Sequence, residues 1–273
     1  SVIERLILGV GDMKNKMLIT AAVTSALLAG IAATSAQAFD ITGNIALVSD
    51  YRFRGISQTG EDAAVQGGLD ASFESGFYIG TWASSVDFGD VDDGSGSYGT
   101  MEINYYGGWG TPIGDTDFSV DVGYMYYQYP GDTVDPTGDY EEFHVTGSWK
   151  DLSLGVIYSD DFYAETGKYM YYSGDYSMTI AEDFSIGLHV GYNDFDEAGF
   201  FATDTDTYAD YSVTFGYTFK GVDLSVAWVG TDLDDVDCFD SSICDDTAVF
   251  SISKSLSITC KQAFDQFFQL RIF

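Results

Sequence analysis

Basic residues are scarce in this chain: 11 Lys and Arg stand against 43 Asp and Glu, a formal net charge of -32. Gripping a phosphate backbone takes Lys and Arg, so nucleic acid is excluded as a partner. Histidine is scarcer still. His144 and His189 are the only two, and no G-x-S-x-G elbow or other nucleophile motif accompanies them. The GSGS run at Gly94 to Ser97 falls in a hairpin loop with no helix after it, so it is not a phosphate cradle. These absences point to a protein that is not an enzyme and holds no cofactor or metal. Beyond one N-terminal stretch, no run reaches the roughly 18 to 20 consecutive apolar residues of a membrane helix. Proline is limited to 3 residues and cysteine to 3.

What the chain has in quantity is Gly, Tyr and Phe, at 31, 20 and 20 residues. That composition favours strands over helices. Met13, Lys14 and Lys16, an apolar stretch from Met17 to about Ala33, and Ala36-Gln37-Ala38 make up the basic, apolar and A-x-A parts of an export signal. Residues 13–38 read as a signal peptide cleaved before Phe39, and residues 1–12 as an upstream extension of the reading frame.

From Phe39 onward, apolar and polar residues alternate in segments of about ten, the length a tilted strand needs to cross a bilayer. Twelve strands are predicted, at 41–54, 63–75, 77–88, 99–110, 117–129, 140–149, 152–161, 168–179, 184–194, 207–219, 222–231 and 247–256. Their connections alternate between short turns, as at Lys150-Asp151 and Lys220-Gly221, and longer loops. An outer-membrane barrel has this asymmetry, with short periplasmic turns, long outer loops and an even strand count. The expected fold is therefore all-β: a transmembrane antiparallel up-and-down barrel of about twelve strands over residues 39–256. The third and fifth strands carry aromatics on both faces, so their orientation stays open.

The face opposite the lipid collects Asp50, Arg52, Arg54, Asp70, Glu102, Asp121, Glu142, His144, Asp175, His189, Asp210 and Asp223. Unpaired charges in a dry core each cost several kcal/mol. Two arginines cannot neutralise so many carboxylates, so the lumen is expected to hold water and these residues to line a pore. In the first strand, Tyr51 and Phe53 are expected to face lipid, with Asp50, Arg52 and Arg54 facing the bore.

Cys238 and Cys244 share one long loop, and an exported protein meets oxidising conditions, so a disulfide between them is expected. Two cysteines without a nearby histidine do not make a zinc site. The acidic loops read as solvated surface. Asp90, Asp92 and Gly94 begin like a calcium loop, but the last ligand position falls on Met101, which cannot ligate. Residues 257–273, with no glycine and a different period, read as an atypical, poorly ordered extension that leaves Cys260 without a partner.

The runs SDYRFRGISQT (49–59), QGGLDASFESGFYIGTWAS (66–84), EINYYGGWG (102–110), YMYYQYP (124–130) and FSISKS (250–255) resemble the proteobacterial Gcw_chp group, the TorF family of porin-like proteins. The resemblance implies an outer-membrane barrel of undefined substrate and carries over no functional residue beyond the motifs. The chain is thus expected to be a porin-like channel for passive diffusion of small cationic or zwitterionic solutes. Its partners would be outer-membrane lipid, lipopolysaccharide and those solutes. A charge ladder on the first strand would face carboxylates across the bore. The alternatives are a non-conducting barrel acting through its loops as an adhesin or structural protein, and an outer-membrane hydrolase built on His144 or His189.

Overall fold

Alternation of apolar and polar residues sends successive side chains to opposite faces of a strand, and here it closes a sheet on itself. The computed structural model describes residues 39–89, 96–198 and 200–259. The expected signal peptide at 13–38, the extension at 1–12, Asp90, Asp92, Asp93 and Gly94, and the tail from Cys260 on lie outside the described residues.

Twelve strands form one closed antiparallel barrel. They are β1 (Phe39–Val48), β4 (Ala64–Phe73), β5 (Phe77–Ser85), β6 (Met101–Pro112), β7 (Phe118–Gln128), β8 (Tyr140–Trp149), β9 (Leu152–Ser159), β10 (Tyr169–Ala181), β11 (Phe184–Phe195), β12 (Thr207–Phe219), β13 (Val222–Thr231) and β14 (Thr247–Thr259). Each pairs with its neighbours in sequence, and β14 closes the ring on β1, with Ile45 opposite Lys254. The last strand runs to Thr259, so 257–259 belong to the barrel and the Leu256 boundary falls three residues early. Two further strands, β2 (Arg52–Phe53) and β3 (Ile56–Ser57), pair only with each other.

The outer face is apolar. Ile45, Leu69, Val145, Leu154, Val190, Phe215 and Phe250 are all exposed. The two ambiguous strands are settled by the cross-strand register. In β5, Phe77 and Ile79 point out and Tyr78 points in, where its hydroxyl meets Asp121. In β7, Phe118 and Val122 are exposed while Tyr127 is buried inside.

The interior divides into two levels. Near the turns it is lined by small hydroxyl side chains such as the Ser148–Ser153 pair, 2.8 Å apart. Near the loops it is filled by a buried cluster that includes Tyr51, Tyr127, Tyr129, Tyr140, Tyr169, Tyr171 and Tyr208. Tyr127 stacks on Tyr140 with centroids 4.3 Å apart. Glycines opposite the large rings make room for them. A Cβ at Gly108 would strike the Tyr78 ring and would sit 2.6 Å from the Val122 carbonyl.

Three loops lock together over this end. Cys238 and Cys244 are disulfide-bonded, Cα atoms 6.3 Å apart. Asp237 in the same loop accepts from the Thr203 and Thr205 hydroxyls at 2.5 and 2.9 Å. Ser242 donates to Glu61 at 2.7 Å.

Candidate functional site

The segment after β1 does not extend the barrel wall. Asp50 holds it in a loop: its carboxylate accepts from Ser57 Oγ at 2.6 Å, Thr59 Oγ1 at 3.2 Å and Arg52 Nε at 2.5 Å. The chain then runs out along β2, turns at Arg54-Gly55 and returns along β3. Both turn residues have positive φ, 49° and 85°, the requirement of a tight type I′ hairpin turn. Glycine is needed at 55 for space as well. A Cβ there would strike the Thr231 methyl and lie 3.0 Å from the Gly230 carbonyl.

This hairpin lies inside the bore, which corrects the expected placement of residues 49–54. Tyr51 and Phe53 do not face lipid. The Tyr51 hydroxyl donates to Glu102 at 3.3 Å, and its ring meets Trp82 edge-on at 5.4 Å. Phe53 packs edge-on against Tyr127 at 5.9 Å. The period-two pattern misled because two-residue strands keep that period while the backbone reverses.

Arg54 sits at the tip. Its Nη2 bonds both Glu142 oxygens, at 2.8 and 2.9 Å, and the guanidinium lies 4.5, 4.9 and 4.5 Å from the ring centroids of Phe53, Tyr169 and Tyr171. The Arg54 carbonyl accepts from the Tyr208 hydroxyl at 3.1 Å. Arg52 reaches the other way, donating to the Ile243 and Asp245 carbonyls at 2.7 and 3.1 Å. The hairpin therefore crosses the lumen from the β6–β8 wall to the β12–β13 wall.

An arginine ladder facing carboxylates across open water does not form. The Arg52 and Arg54 side chains are 4% and 6% exposed, and each is paired at contact distance. Burial of a guanidinium demands such pairing.

The remaining predicted residues also turn inward, in two sets. Glu102, Glu142 and Asp210 belong to the buried level around the hairpin. Glu102 accepts from Asn104 at 2.8 Å, and Asp210 from Asn193 at 2.8 Å. Toward the turns, Asp121 meets His144 Nε2 at 2.6 Å and the Tyr78 hydroxyl at 2.9 Å. His189 bridges Asp175 through Nδ1 at 2.7 Å and Asp210 through Nε2 at 2.9 Å. Asp70 accepts from Tyr106 at 2.5 Å and Asp223 from Thr218 at 2.6 Å. The Asp121 and Asp175 side chains keep 34% and 49% of their surface exposed, so this level is wet.

Among the described residues neither histidine hydrogen-bonds to a serine, although Ser212 stands opposite His189 in the β11–β12 register. No group of three metal-ligating side chains occurs among them either.

Sequence reasoning missed the residues that seat the hairpin: Gly55, Tyr127, Tyr169, Tyr171 and Tyr208. The one available signal was the Arg54-Gly55 dipeptide, a turn candidate inside an otherwise regular alternation.

A family model described as "Bacterial protein of unknown function (Gcw_chp)" matches residues 32–256. The chain belongs to the Gcw_chp family. That family description assigns no activity. No curated protein matches this Gcw_chp chain.

Among solved structures, the chain is similar to a NanC porin in a rhombohedral crystal form, with 12% identity, 79% of this chain and 97% of that one covered, and a TM-score of 0.48. A KdgM porin gives 12% identity, 80% and 99% coverage and a TM-score of 0.47. The COG4313 outer membrane channel from Pseudomonas putida F1 gives 9% identity, 83% and 97% coverage and a TM-score of 0.41. Likeness at this level assigns the chain no solute and no role.

Proposed function

We propose that this Gcw_chp barrel sits in the bacterial outer membrane as a narrow, passive channel for small cationic or zwitterionic solutes, with the lumen hairpin setting its width. The apolar outer face would meet lipid, and the acidic loops would lie at the level of lipopolysaccharide. The observation that carries the reading is the set of partly exposed ionisable side chains, Asp121, Asp175, His144 and His189, enclosed by a wall whose outside is apolar. Such groups need water, and water enclosed by a transmembrane barrel is a path for solutes.

Selectivity follows from the charge inventory. Both arginines of the hairpin are consumed by Asp50, Glu61 and Glu142. Below it, Asp70, Asp121, Asp175 and Asp223 outnumber the two histidines. An acidic ring favours cations and disfavours anions. In this reading Asp70, Asp121, His144, Asp175, His189 and Asp223 line the path, while Asp50, Arg52, Arg54, Glu102, Glu142 and Asp210 belong to the buried level that seats the constriction.

A second reading has an observation in its favour. The hairpin and its tyrosines fill the lumen near the loops, as a non-conducting barrel acting through its loops would have. Proteoliposome swelling separates the two. Glycine is expected to swell vesicles carrying the protein faster than sodium lactate. Equal rates would overturn the acidic selectivity. No swelling in either solute, for the native chain and for Glu142→Gln alike, would favour the non-conducting barrel.

A further inference from the structure

Above the hairpin the loops border an open-mouthed chamber of about 1160 Å³. Its walls are aromatic and come from separate parts of the chain: Phe53 from the hairpin, Phe88 from the loop after β5, Tyr163 from the loop after β9, Phe200 from the loop after β11 and Phe239 from the loop after β13. These rings are braced against each other and the barrel. Tyr163 meets Tyr129 edge-on at 5.4 Å, and Phe200 stacks on Phe195 at 4.9 Å.

Two features exceed what closing the barrel requires. Among the described lining residues only Arg54 and Asp87 carry charge, although the chain as a whole is strongly acidic, and Arg54 is already neutralised by Glu142. Phe239 is held with φ at 62°, a conformation uncommon for a bulky residue and a mark of functional sites. It is nonetheless 67% exposed. It follows Cys238 directly, so the disulfide-closed loop holds a mostly exposed aromatic ring at the chamber rim.

We infer that this chamber is a binding site for an uncharged small molecule built on flat rings, such as an aryl group or an aryl glycoside. Flat apolar faces match the ring walls and bury aromatic surface from water. An anionic group would lose its hydration without gaining a free counter-ion, because Arg54 is paired with Glu142, and a cationic group would meet only the exposed Asp87 among the described lining carboxylates. Equilibrium occupancy of the chamber does not require ions to cross the barrel, so the site stands apart from the channel reading.

The test uses the full chain in detergent with phenyl β-D-glucoside as probe, followed by saturation-transfer NMR, with benzoate and benzyltrimethylammonium as charged comparators. Saturable binding of the glucoside, at least fivefold tighter than either comparator and weakened at least fivefold by Tyr163→Ala combined with Phe200→Ala, is expected. Tighter benzoate or benzyltrimethylammonium binding would overturn the assignment of an uncharged ligand. Should the double variant fail to fold, 4-azidophenyl β-D-glucoside photolysed on the native chain supplies the answer. Labelling of the peptides carrying Phe88, Tyr163, Phe200 or Phe239 is expected. Labelling confined to the outer barrel face, or no saturable binding of the glucoside, would overturn the site.

Discussion

Replacing Glu142 by Gln tests what holds the hairpin in the bore. Arg54 and Glu142 are 6% and 3% exposed, with contacts at 2.8 and 2.9 Å to both carboxylate oxygens. Removing one partner of a buried pair leaves an uncompensated charge and costs about 3 to 5 kcal/mol. The amide oxygen of Gln still accepts one hydrogen bond, which places Glu142→Gln near the lower figure and Glu142→Ala near the upper. The stacking of Arg54 on Phe53, Tyr169 and Tyr171 survives the change and contributes about 0.5 to 2 kcal/mol per ring. Opposing it is the left-handed backbone at Arg54, which costs about 1 to 2 kcal/mol. The hairpin therefore loses its largest anchor, and at about 1.4 kcal/mol per decade its displaced population rises by about two orders of magnitude in Glu142→Gln. Amide exchange at residues 51–58 reads this directly and should accelerate by that factor, while exchange in β10 and β11 stays slow. Exchange at 51–58 unchanged within threefold would refute the claim that the ion pair seats the hairpin.

Gly55→Ala should lower thermal stability by about 1 to 3 kcal/mol, through left-handed strain and a Cβ pressed on Gly230, read as earlier loss of heat-modifiable gel migration. Cys238→Ser with Cys244→Ser removes a short loop closure that contributes about 2 kcal/mol, so exchange should rise across residues 232–246 while barrel unfolding stays put. Val190→Arg, on the outer face of β11, should destabilise the folded barrel in lipid by about 2 to 4 kcal/mol if its site lies near the bilayer midplane, measured by denaturant titration. The Asp237 carboxyl is held below the ordinary aspartate range by the Thr203 hydroxyl, the Asp234 backbone N–H and the Thr205 hydroxyl. A depressed folded-state value contributes stability that is present above the unfolded value and lost as pH falls through the folded one. Protection of the Thr203–Thr205 segment should thus persist at the pH where free aspartate protonates, about 3.9, and vanish below it.

The barrel was legible because its outer face follows one rule with few exceptions such as Lys254: every second residue meets apolar surroundings, as Leu152, Leu154, Val156 and Tyr158 do along β9. The alternation of short and long connections then fixed the strand count. Faces became unreadable in β5 and β7, where inward Tyr78, Trp82 and Tyr127 belong to an aromatic core, so the contrast between in and out disappears. Inward carboxylates in an alternating strand are expected to face water. Near the loops they face tyrosine hydroxyls instead, as Glu102 does Tyr51 and Glu142 does Tyr127 at 2.9 Å, and a long-range pairing of that kind leaves no local trace in sequence. The hairpin shows the same limit. Alternation alone places Arg52 and Arg54 on the barrel wall, whereas the reversal at Gly55 that carries them into the bore depends on walls far away in the chain, at Thr231 and Asp210.

The central claim is that an acidic, water-filled path runs through this barrel and is narrowed by the hairpin. Reversal potentials in a planar bilayer under a KCl gradient test it most directly, with the native chain and Glu142→Gln recorded side by side. Small cation-selective currents are expected from the native chain and larger ones, still cation-selective, from the variant. Folded barrels that carry no current in either form would contradict the claim.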